Sequence, residues 1–423
     1  MTSCRICEHL RTNPDEPGNY WQFFTGEGLR YDLVCPECGR RESNRETVSE
    51  DAFRYIEEKG WWNGISGQPE IKRAPSGQSF LHEIVRMEAL DASTVKAVAP
   101  QSEGWLALTA TGELLELDFA SGTRRQLALL GEVLNLSLHL GLCVSNDGCF
   151  VAAFESRGQK GVVLERVTGK IQLILAHDPD YAEVTPFSLA FFSNLGRTLL
   201  VHATDWNRLD VVDPRTGELL TERGRTSYKQ GEERPEHYLD YFHGALYPSP
   251  DGAWIADDGW VWHPVGAVNW WSLRRWLQED VWESEAVQPT PCIRDFWGGP
   301  ICWVDNTTLA VWGYGDMEKW ALPAIRLFDV PTGRELRWFP GPQTSRDKEA
   351  FWEPTVPFHQ GWIVYDEVLF ACSSEHGVSA WDVVSGTWRF EDASFYPAAY
   401  QRSTKTFLTL LPDGAFQLSR LAI

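Results

Sequence analysis

Several features are scarce or missing in this sequence, and each absence excludes a class of protein. No stretch reaches the 18 or more apolar residues of a membrane-spanning helix, and Met1–Arg5 is not followed by the apolar segment of a secretory signal. Walker phosphate loops and the H-E-x-x-H motif are absent, and G-x-S-x-G does not occur as a strand-to-helix elbow. We therefore expect a cytoplasmic protein without a membrane segment or a familiar catalytic motif.

Basic residues are also few relative to acidic ones. The chain has 38 Lys and Arg against 59 Asp and Glu, which gives a formal net charge of −21. A surface of that charge repels phosphate backbones at long range unless a basic patch is segregated from it. Binding of nucleic acid or anionic membranes by the molecule as a whole is therefore disfavoured.

What the chain does contain favours β-structure. Of its 423 residues, 43% are apolar and 23% are charged, which is an ordinary globular mixture with enough apolar residues for a large core. Methionine is rare, with 3 residues, whereas tryptophan is abundant, with 21. Tryptophan suits strands and binding surfaces better than helical bundles. The composition predicts an all-β protein, and the length allows two or three domains or one large repeat with an appendage.

Four of the nine cysteines form two C-x-x-C pairs near the N-terminus, Cys4 with Cys7 and Cys35 with Cys38. Two residues between thiolates let one tight turn present both sulfurs to a single ion. Two such turns supply the four sulfurs of a tetrahedral structural site, so we predict a structural Zn²⁺ held by these residues. The alternative is that they are buried or redox-active thiols.

This segment resembles the zinc-ribbon family, whose two knuckles on short hairpins match the two cysteine pairs over about the first 45 residues. The resemblance implies a metal but no single task, because ribbons bind nucleic acid, bind proteins or fold a chain terminus. Arg40, Arg41 and Arg45 follow the second pair. They form either a solvated face or a small nucleic-acid contact.

Residues 46–79 are expected to hold one short helix and a linker. Thr47–Glu50 has the spacing of a capping box, and apolar residues follow at helical intervals until Gly60. Trp61 and Trp62 come next, before a stretch rich in Gly, Pro and Ser. These two side chains are candidates for a docking patch, and the alternative is that they pack the ribbon and helix onto the larger domain.

From about residue 80 a hairpin recurs, consisting of a strand, usually an Asp, two or three residues, Ser/Thr-Gly and a second strand. Its glycines are Gly122, Gly169, Gly217, Gly333 and Gly386. The intervals of 47, 48, 116 and 53 residues give a period of about 50, with two units in the long gap. In this turn the Asp side chain can accept hydrogen bonds from backbone amides, and Gly can take a positive φ. A second turn of the type S-x-D-G, at Gly148 and Gly252, implies three or four strands per unit.

A period of 40 to 50 residues with four strands per unit is typical of β-propellers. Residues 80–423 divide into seven units of about 49 residues, with six or eight as alternatives. The turns place the ends of these units near residues 130, 176, 223, 285, 340, 392 and 423. The last unit shows strands near Tyr396, Phe407–Leu411 and Phe416–Leu421. A strand within Phe80–Leu90 would complete that sheet and close the ring.

The repeats resemble the WD40 and quinoprotein-like β-propeller superfamily. The S-x-D-G turns, the D-x-x-T/S-G hairpins and the dipeptide Trp381-Asp382 carry the resemblance. It implies a seven-bladed β-propeller, which many proteins use as a platform for binding other proteins.

The fourth unit is longer than the others. Ser272 can cap a helix near residues 270–285, and four tryptophans lie in or beside it: Trp270, Trp271, Trp276 and Trp282. A helix projecting from the rim would present them to a partner. A helix folded against its own blade would bury them. Two polar loops, residues 224–240 and 341–357, are either functional or disordered.

The sequence offers little for catalysis. His177–Asp180 suggests a metal or acid-base site, but strand ends often collect such residues, and we place the pair Asp257 and Asp258 in a turn. The first hypothesis is therefore a non-catalytic protein-interaction scaffold. One alternative is an enzyme or ligand-binding propeller, of a glycan-processing or quinoprotein-like kind, with its site in the central channel. The other is a zinc ribbon that binds nucleic acid.

Overall fold

The computed structural model describes residues 71–75, 77–177, 181–229, 231–261, 265–286, 292–294, 297–314, 322–343 and 361–422, together with the strands at 20–25, 28–34 and 41–48. These first three strands form an antiparallel sheet in sequence order. They are β1 (Tyr20–Thr25), β2 (Gly28–Val34) and β3 (Arg41–Val48). Thr47 and Val48 belong to β3, and the helix predicted after the Thr47–Glu50 capping box falls on residues outside the described part. Residues 49–60 lie outside the described part.

The remaining strands form seven antiparallel sheets, here called blades one to seven. Strand β4 (Phe80–Val85) comes first in the chain and joins the last blade. Blade one contains β5 (Val95–Pro100), β6 (Trp105–Thr109), β7 (Glu113–Asp118) and β8 (Thr123–Leu129). Blade two contains β9 (Leu140–Val144), β10 (Phe150–Glu155), β11 (Lys160–Glu165) and β12 (Ile171–Ala176). Among the described residues, blade three contains β13 (Leu189–Asn194), β14 (Arg197–Asp205) and β15 (Arg208–Val212).

Blade four carries the insertion. It contains β16 (Phe242–Pro248), β17 (Trp254–Val261), β18 (Val265–Ser272), helix α1 (Leu273–Gln278) and β19 (Cys292–Arg294). Blade five contains β20 (Ile301–Trp303), β21 (Thr308–Tyr314), β22 (Leu322–Asp329) and β23 (Arg334–Pro340). Blade six contains β24 (Gly361–Asp366), β25 (Val368–Ser373), β26 (Gly377–Asp382) and β27 (Thr387–Asp392). Blade seven contains β28 (Ala399–Gln401), β29 (Thr406–Leu410), β30 (Phe416–Leu421) and β4. Two 3₁₀ turns cover Ala92–Thr94 and Val330–Thr332.

The blades are arranged radially, with the first strand of each blade innermost. Neighbouring innermost strands contact one another around the ring, for example β5 with β9 and β28 with β5. The apolar core is correspondingly divided into seven layers, each between two consecutive blades. The layer between blades seven and one contains Trp105, Leu115, Leu408 and Phe416 and so completes the circle. The predicted seven-bladed propeller is confirmed.

The hairpin turns have the predicted geometry. Asp118 Oδ1 accepts the Ala120 amide at 2.9 Å, and Asp382 Oδ1 accepts the Ser385 amide at 2.8 Å. Gly169 takes a φ of +67°, and a Cβ at this position would lie 1.9 Å from the carbonyl oxygen of Leu127 in blade one. Glycine therefore serves both the turn and the approach of the neighbouring blade.

The predicted closure by an N-terminal strand is also present. β4 pairs antiparallel with β30, from Phe80 opposite Leu421 to Val85 opposite Phe416. The strand expected around Tyr396 begins three residues later, at Ala399, because residues 393–398 form the connection from blade six. Joining the two ends of the domain in one sheet pairs the last edge of β30.

Candidate functional site

Most of the residues in the predicted N-terminal sites lie outside the described part of the chain. These are the cysteines Cys4, Cys7, Cys35 and Cys38, the tryptophans Trp61 and Trp62, and Arg40. Arg41 and Arg45 fall in β3. Across the described residues, no group of three or more His, Cys, Asp and Glu side chains could hold a metal ion.

The insertion in blade four has its predicted cap. Ser272, the last residue of β18, accepts the amide of Arg275 through its hydroxyl at 3.2 Å, and α1 starts at the next residue. The α-helix is only six residues long and is followed by turns as far as residue 286. No helix within the described ranges has the length and hydropathy needed to cross a membrane.

The insertion packs against the propeller and does not project from it. Trp276 is 1% exposed and Trp271 is 6% exposed, and both lie in the apolar layer between blades three and four. Trp270 is half-buried and donates from Nε1 to the Val330 carbonyl at 3.0 Å. Trp282 is half-buried and stacks on His237 with ring centres 4.0 Å apart. Only Trp270 and Trp282 therefore keep appreciable surface for a partner.

A buried ion-pair network fastens the insertion to blade three. The Arg223 guanidinium donates to Asp210 Oδ1 at 2.6 Å and to both carboxylate oxygens of Glu285. All three side chains are almost fully buried. Burial acts to raise the pKa of Asp210, but hydrogen bonds from Arg208 and Thr204 and the charge of Arg223 lower it overall. The carboxylate therefore stays charged and holds the loop in place.

The same network closes the edge of blade three, which has no fourth strand among the described residues. The Val211 amide donates to Thr221 Oγ1 at 2.9 Å, and Arg223 donates to the Leu209 carbonyl at 2.7 Å. These side chains satisfy the backbone groups of β15 that a fourth strand would otherwise pair. The sequence predicted that this repeat unit ends near residue 223. At that position the side chains of Thr221 and Arg223 take the place of a fourth strand at the edge of β15.

Blade four contains a cavity of about 500 Å³ at its rim. It lies between β18, the segment that follows α1, and the turn Val330–Gly333 of blade five. Strand β19 pairs only with Gly266–Val268, so the described residues provide no fourth-strand neighbour for the rest of β18. Trp254, Trp270 and Trp271 form aromatic walls, and Arg275, Asp280 and Glu283 supply charges.

His243 also lines this cavity. Its Nδ1 lies 2.5 Å from Asp257 Oδ2, while Asp257 Oδ1 accepts the Gly244 amide at 2.9 Å. Because Asp257 is the acceptor in both contacts, we assign a proton to Nδ1 of His243, and Nε2 takes no part in this pair. That Nε2 and the Nε1 of Trp271 are buried without a hydrogen-bond partner among the described residues.

The pair Asp257 and Asp258 was expected in a turn, and this expectation is wrong. Both residues lie inside β17, fully buried, with Asp257 bonded to His243 and Asp258 Oδ2 2.5 Å from Arg294 Nη2. Adjacent strand residues point to opposite faces, so the two carboxylates lie on opposite sides of the sheet, and both of their partners, His243 in β16 and Arg294 in β19, belong to blade four. Burial raises the pKa of Asp258 to about 6 against the opposing effect of Arg294. The signal in the sequence that could have indicated these buried carboxylates is the pair of aspartates inside an otherwise apolar strand.

His177 is the described member of the expected His177–Asp180 site. It is buried beside Phe187, and burial, with the nearby His243, lowers its pKa to about 4. Residues 178–180 lie outside the described part. Among the described residues of this region, the buried histidines and carboxylates are enclosed by the sheets.

Strand direction defines two faces of the ring. Neighbouring strands within a blade are antiparallel, so alternate strands run in opposite directions. One end of each blade therefore holds the starts of the first and third strands together with the ends of the second and fourth strands. We call this end the upper face. It carries the connections between blades and the loops that join second to third strands.

A continuous row of aromatic rings, here called the aromatic ridge, lies on the upper face at blades three and four. Ring-centre distances are 5.1 Å for Tyr228–Tyr238, 6.1 Å for Tyr238–Trp206, 4.5 Å for Trp206–Phe242 and 5.1 Å for Phe242–Tyr181. The terminal members Tyr181 and Tyr228 are each 39% exposed. Sequence reasoning missed this ridge, because its members come from three separate loops.

The ridge has a rigid base. Phe242 stacks on Trp260 with ring centres 3.9 Å apart, and Trp260 stacks on Trp297 at 4.7 Å. Trp297 Nε1 donates to the Val184 carbonyl at 2.6 Å, which ties the connection before blade three to the connection before blade five. The exposed rings are therefore held by a buried aromatic layer.

No protein-family model matches the sequence, and no curated protein matches it. Among solved structures, the chain is similar to one in "Mitotic Checkpoint Complex", with a TM-score of 0.49 and 13% identity over 83% of this chain and 96% of that one. For the structure of U3-55K the TM-score is 0.48 and the identity 11%, over 80% of this chain and 98% of that one. For the RRP9 WD40 repeats the TM-score is 0.49 and the identity 12%, over 84% of this chain and 100% of that one. These are likenesses of fold. The blade count follows from the seven sheets themselves.

Proposed function

We propose that the protein is an interaction scaffold that binds a partner protein through the upper face of its propeller. The observation that carries this proposal is the aromatic ridge. Tyrosine and tryptophan supply most of the binding energy in many protein interfaces, because they bury a large area and lose few rotatable bonds. A ridge whose rings already contact one another loses still less conformational freedom on binding.

The ridge is amphipathic, which suits a surface that is exposed before the partner binds. Tyr181 and Tyr228 retain exposed ring surface, and Arg234 lies over the Tyr238 ring with its guanidinium 4.3 Å from the ring centre. The loop that carries Tyr228 and Tyr238 also contains exposed acidic and basic residues. This combination of aromatic anchors inside a charged rim is the usual composition of a non-obligate interface.

An enzymatic site at the inner strands is less well supported. The acid-base pair of His243 with Asp257 is almost fully buried inside blade four. A catalytic base must come within hydrogen-bond distance of its substrate. The central-channel enzyme therefore remains a prediction from the fold resemblance alone.

We also propose that Cys4, Cys7, Cys35 and Cys38 bind a structural Zn²⁺ ion. The support is the chemistry of four thiolates together with the position of the second pair, which falls in the connection between the antiparallel neighbours β2 and β3. A bound ion would supply folding free energy to a segment too short for its own core. Nucleic-acid binding through Arg40, Arg41 and Arg45 stays a prediction.

The scaffold proposal can be tested by affinity capture from the native host with matched variants. Tyr181→Ser together with Tyr228→Ser removes both exposed ends of the ridge. Tyr396→Ser is the control, because Tyr396 is similarly exposed in the connection between blades six and seven. We expect a stoichiometric protein partner with wild type and the control, and its loss with the double variant. Equal capture by all three, or no stoichiometric partner at any salt, would contradict the proposal.

A further inference from the structure

The aromatic ridge is notched along its length. Three of its four contacts are edge-to-face, with interplanar angles of 72° for Tyr228–Tyr238, 68° for Tyr238–Trp206 and 81° for Phe242–Tyr181. Ring planes that turn from one member to the next leave notches between them. Phe242 is only 6% exposed and lies between Trp206 at 4.5 Å and Tyr181 at 5.1 Å, so it forms the floor of one notch. The ridge therefore fits a ligand that carries compact apolar groups at intervals.

Both ends of the loop that carries Tyr228 and Tyr238 are fixed by one buried side chain. Asn207, which is 0% exposed, donates from Nδ2 to the Thr226 carbonyl at 3.0 Å and to the Leu239 carbonyl at 2.8 Å. Thr226 Oγ1 donates in return to Asn207 Oδ1 at 3.2 Å. The spacing of the rings is therefore set before binding. A ligand that is also ordered before binding loses the least conformational entropy on such a surface.

The polar groups that the ridge offers include two donors without acceptors. Trp206 is half-buried, and its indole Nε1 has no acceptor among the described residues and is not enclosed. The Arg234 guanidinium, 4.3 Å from the centre of the Tyr238 ring, also has no acceptor in the described part of the chain. Indole and guanidinium groups donate hydrogen bonds and cannot accept them. They match a ligand whose backbone presents carbonyl groups.

Carboxylates predominate around the ridge. Within 181–183 and the described residues of 224–240, five acidic side chains are exposed and three basic ones are exposed. The acidic residues are Glu183, Glu232, Glu233, Glu236 and Asp240, and the basic residues are Arg225, Lys229 and Arg234. Opposite charge on the partner speeds association and favours the correct partner. A ligand with basic flanks therefore suits this part of the surface.

We propose that the ridge binds a proline-rich segment of the partner protein, held in the polyproline II conformation and flanked by basic residues. Prolines supply compact rings and carbonyl acceptors, and they have no backbone N–H that would need an acceptor. The polyproline II helix is ordered before binding and rises 3.1 Å per residue, so six residues extend about 19 Å. Five rings in steps of 4.5 to 6.1 Å give the ridge a similar contour length. The proposal deepens the scaffold function and rests on it for the presence of a partner.

The test is calorimetric titration of the full-length protein with three capped peptides. The first has six prolines between two arginines, the second has six prolines between two glutamines, and the third has three glycine-serine pairs between two arginines. We expect saturable binding of the arginine-proline peptide and binding several-fold weaker for the glutamine peptide, which lacks the charges. The glycine-serine peptide has the same charge but a flexible backbone, so it should not bind.

Variants of the ridge locate the binding site. Trp206→Phe keeps an aromatic ring and removes the indole N–H, so it should weaken binding of the arginine-proline peptide about fivefold. Tyr181→Ser together with Tyr228→Ser should weaken it at least about tenfold, whereas Tyr396→Ser should leave it unchanged. Thermal unfolding of each variant verifies folding. Trp206→Phe tests the proposal even if the double variant does not fold.

Several results would overturn the proposal. They are an absence of saturable binding of the arginine-proline peptide by wild type, equal binding of the glycine-serine peptide, or unchanged binding by the ridge variants. Equal binding of the glutamine peptide would overturn the basic flanks. A captured partner whose contacting segment contains no proline would show that a helix or a folded surface occupies the ridge instead. The scaffold function fails separately, through equal capture by wild type and the Tyr181 and Tyr228 variant, so the two failures are distinguishable.

Discussion

At the scale of single residues, Arg223 is the contact on which the blade-four insertion most depends. Its guanidinium joins Asp210 in blade three to Glu285 and also lies near the rings of Trp276 and Trp282. Glu285 lies 62 residues from Arg223 in the chain. Nothing in the local sequence distinguishes this arginine from Arg225 two residues later, so only the three-dimensional structure identifies it.

Replacing Arg223 should therefore destabilise the protein strongly. Arg223→Ala leaves the buried carboxylate of Glu285 without its cation and leaves Asp210 with Arg208 alone, and the expected loss is about 3–5 kcal/mol of unfolding free energy. Arg225→Ala is the control, because its pair with Glu232 is exposed and screened by solvent, so the expected loss is much smaller. Denaturant titration of both variants measures the difference. Similar losses would show that the network does not hold the insertion.

The carboxylate of Asp382 should contribute to acid sensitivity. A backbone hydrogen bond from Ser385, followed by the bond from Arg389, lowers its pKa to about 2 from an ordinary value near 3.8. A lowered folded-state pKa gives stability that is present above pH 3.8 and is lost as the pH falls toward 2.

We expect the side-chain oxygen of Asp382→Asn still to accept the backbone amides of the turn. The variant should lose the part of the unfolding free energy that depends on the charge of Asp382 and therefore on pH. The measurement is unfolding free energy against pH for wild type and variant between pH 2 and 5. The two curves should converge as the pH falls through this interval. If the difference in unfolding free energy between wild type and variant stayed the same across this pH interval, the charge of Asp382 would not stabilise the turn.

At the scale of elements, the hairpin turns were predictable and the exceptions were not. A turn needs only its own residues, so Gly122, Gly169 and Gly386 could be identified from spacing, and all three take positive φ. Blade three has no fourth strand among the described residues, and its edge depends on side chains such as Thr221 and Arg223. The end predicted near residue 285 was wrong because blade four ends at Arg294, after its insertion.

A matched pair of glycine variants separates turn strain from blade packing. Gly122→Ala and Gly169→Ala impose a Cβ on nearly the same φ, +70° and +67°. Nothing lies within 4 Å of the new atom at residue 122, whereas Leu127 O lies at 1.9 Å from it at residue 169. Both variants should lose about 1–2 kcal/mol of unfolding free energy, because alanine is strained at a positive φ.

The variant at residue 169 should lose clearly more, because blade one must move away from blade two. Thermal unfolding of the two variants measures the difference. An equal decrease in melting temperature would show that the approach of the two blades is not tight at this turn.

At the scale of the whole molecule, closure of the ring joins the two ends of the domain. Phe80 of β4 contacts Phe390, Phe395 and Phe407, with ring centres 4.6 to 5.4 Å apart. One strand from the start of the domain thus contributes to the layer between its last two blades. Sequence reasoning could anticipate the closure, because the last unit was one strand short.

Truncating this ring contact should weaken the entire propeller. Phe80→Ala empties a buried aromatic site and should cost about 3–5 kcal/mol. Leu81→Ala, in the same strand but 65% exposed on its outer side, should cost at most about 0.5 kcal/mol. Denaturant unfolding followed by tryptophan fluorescence reports the loss. Equal stability of the two variants would contradict closure by β4.

The central claim is that the aromatic ridge on the upper face binds a partner protein. Hydrogen-exchange mass spectrometry on the purified complex and on the free protein tests it most directly. The account predicts slower exchange on binding in residues 181–188, 204–207 and 226–242, with little change in the connection between blades six and seven. Protection confined to other blades, with these three segments unchanged, would contradict it.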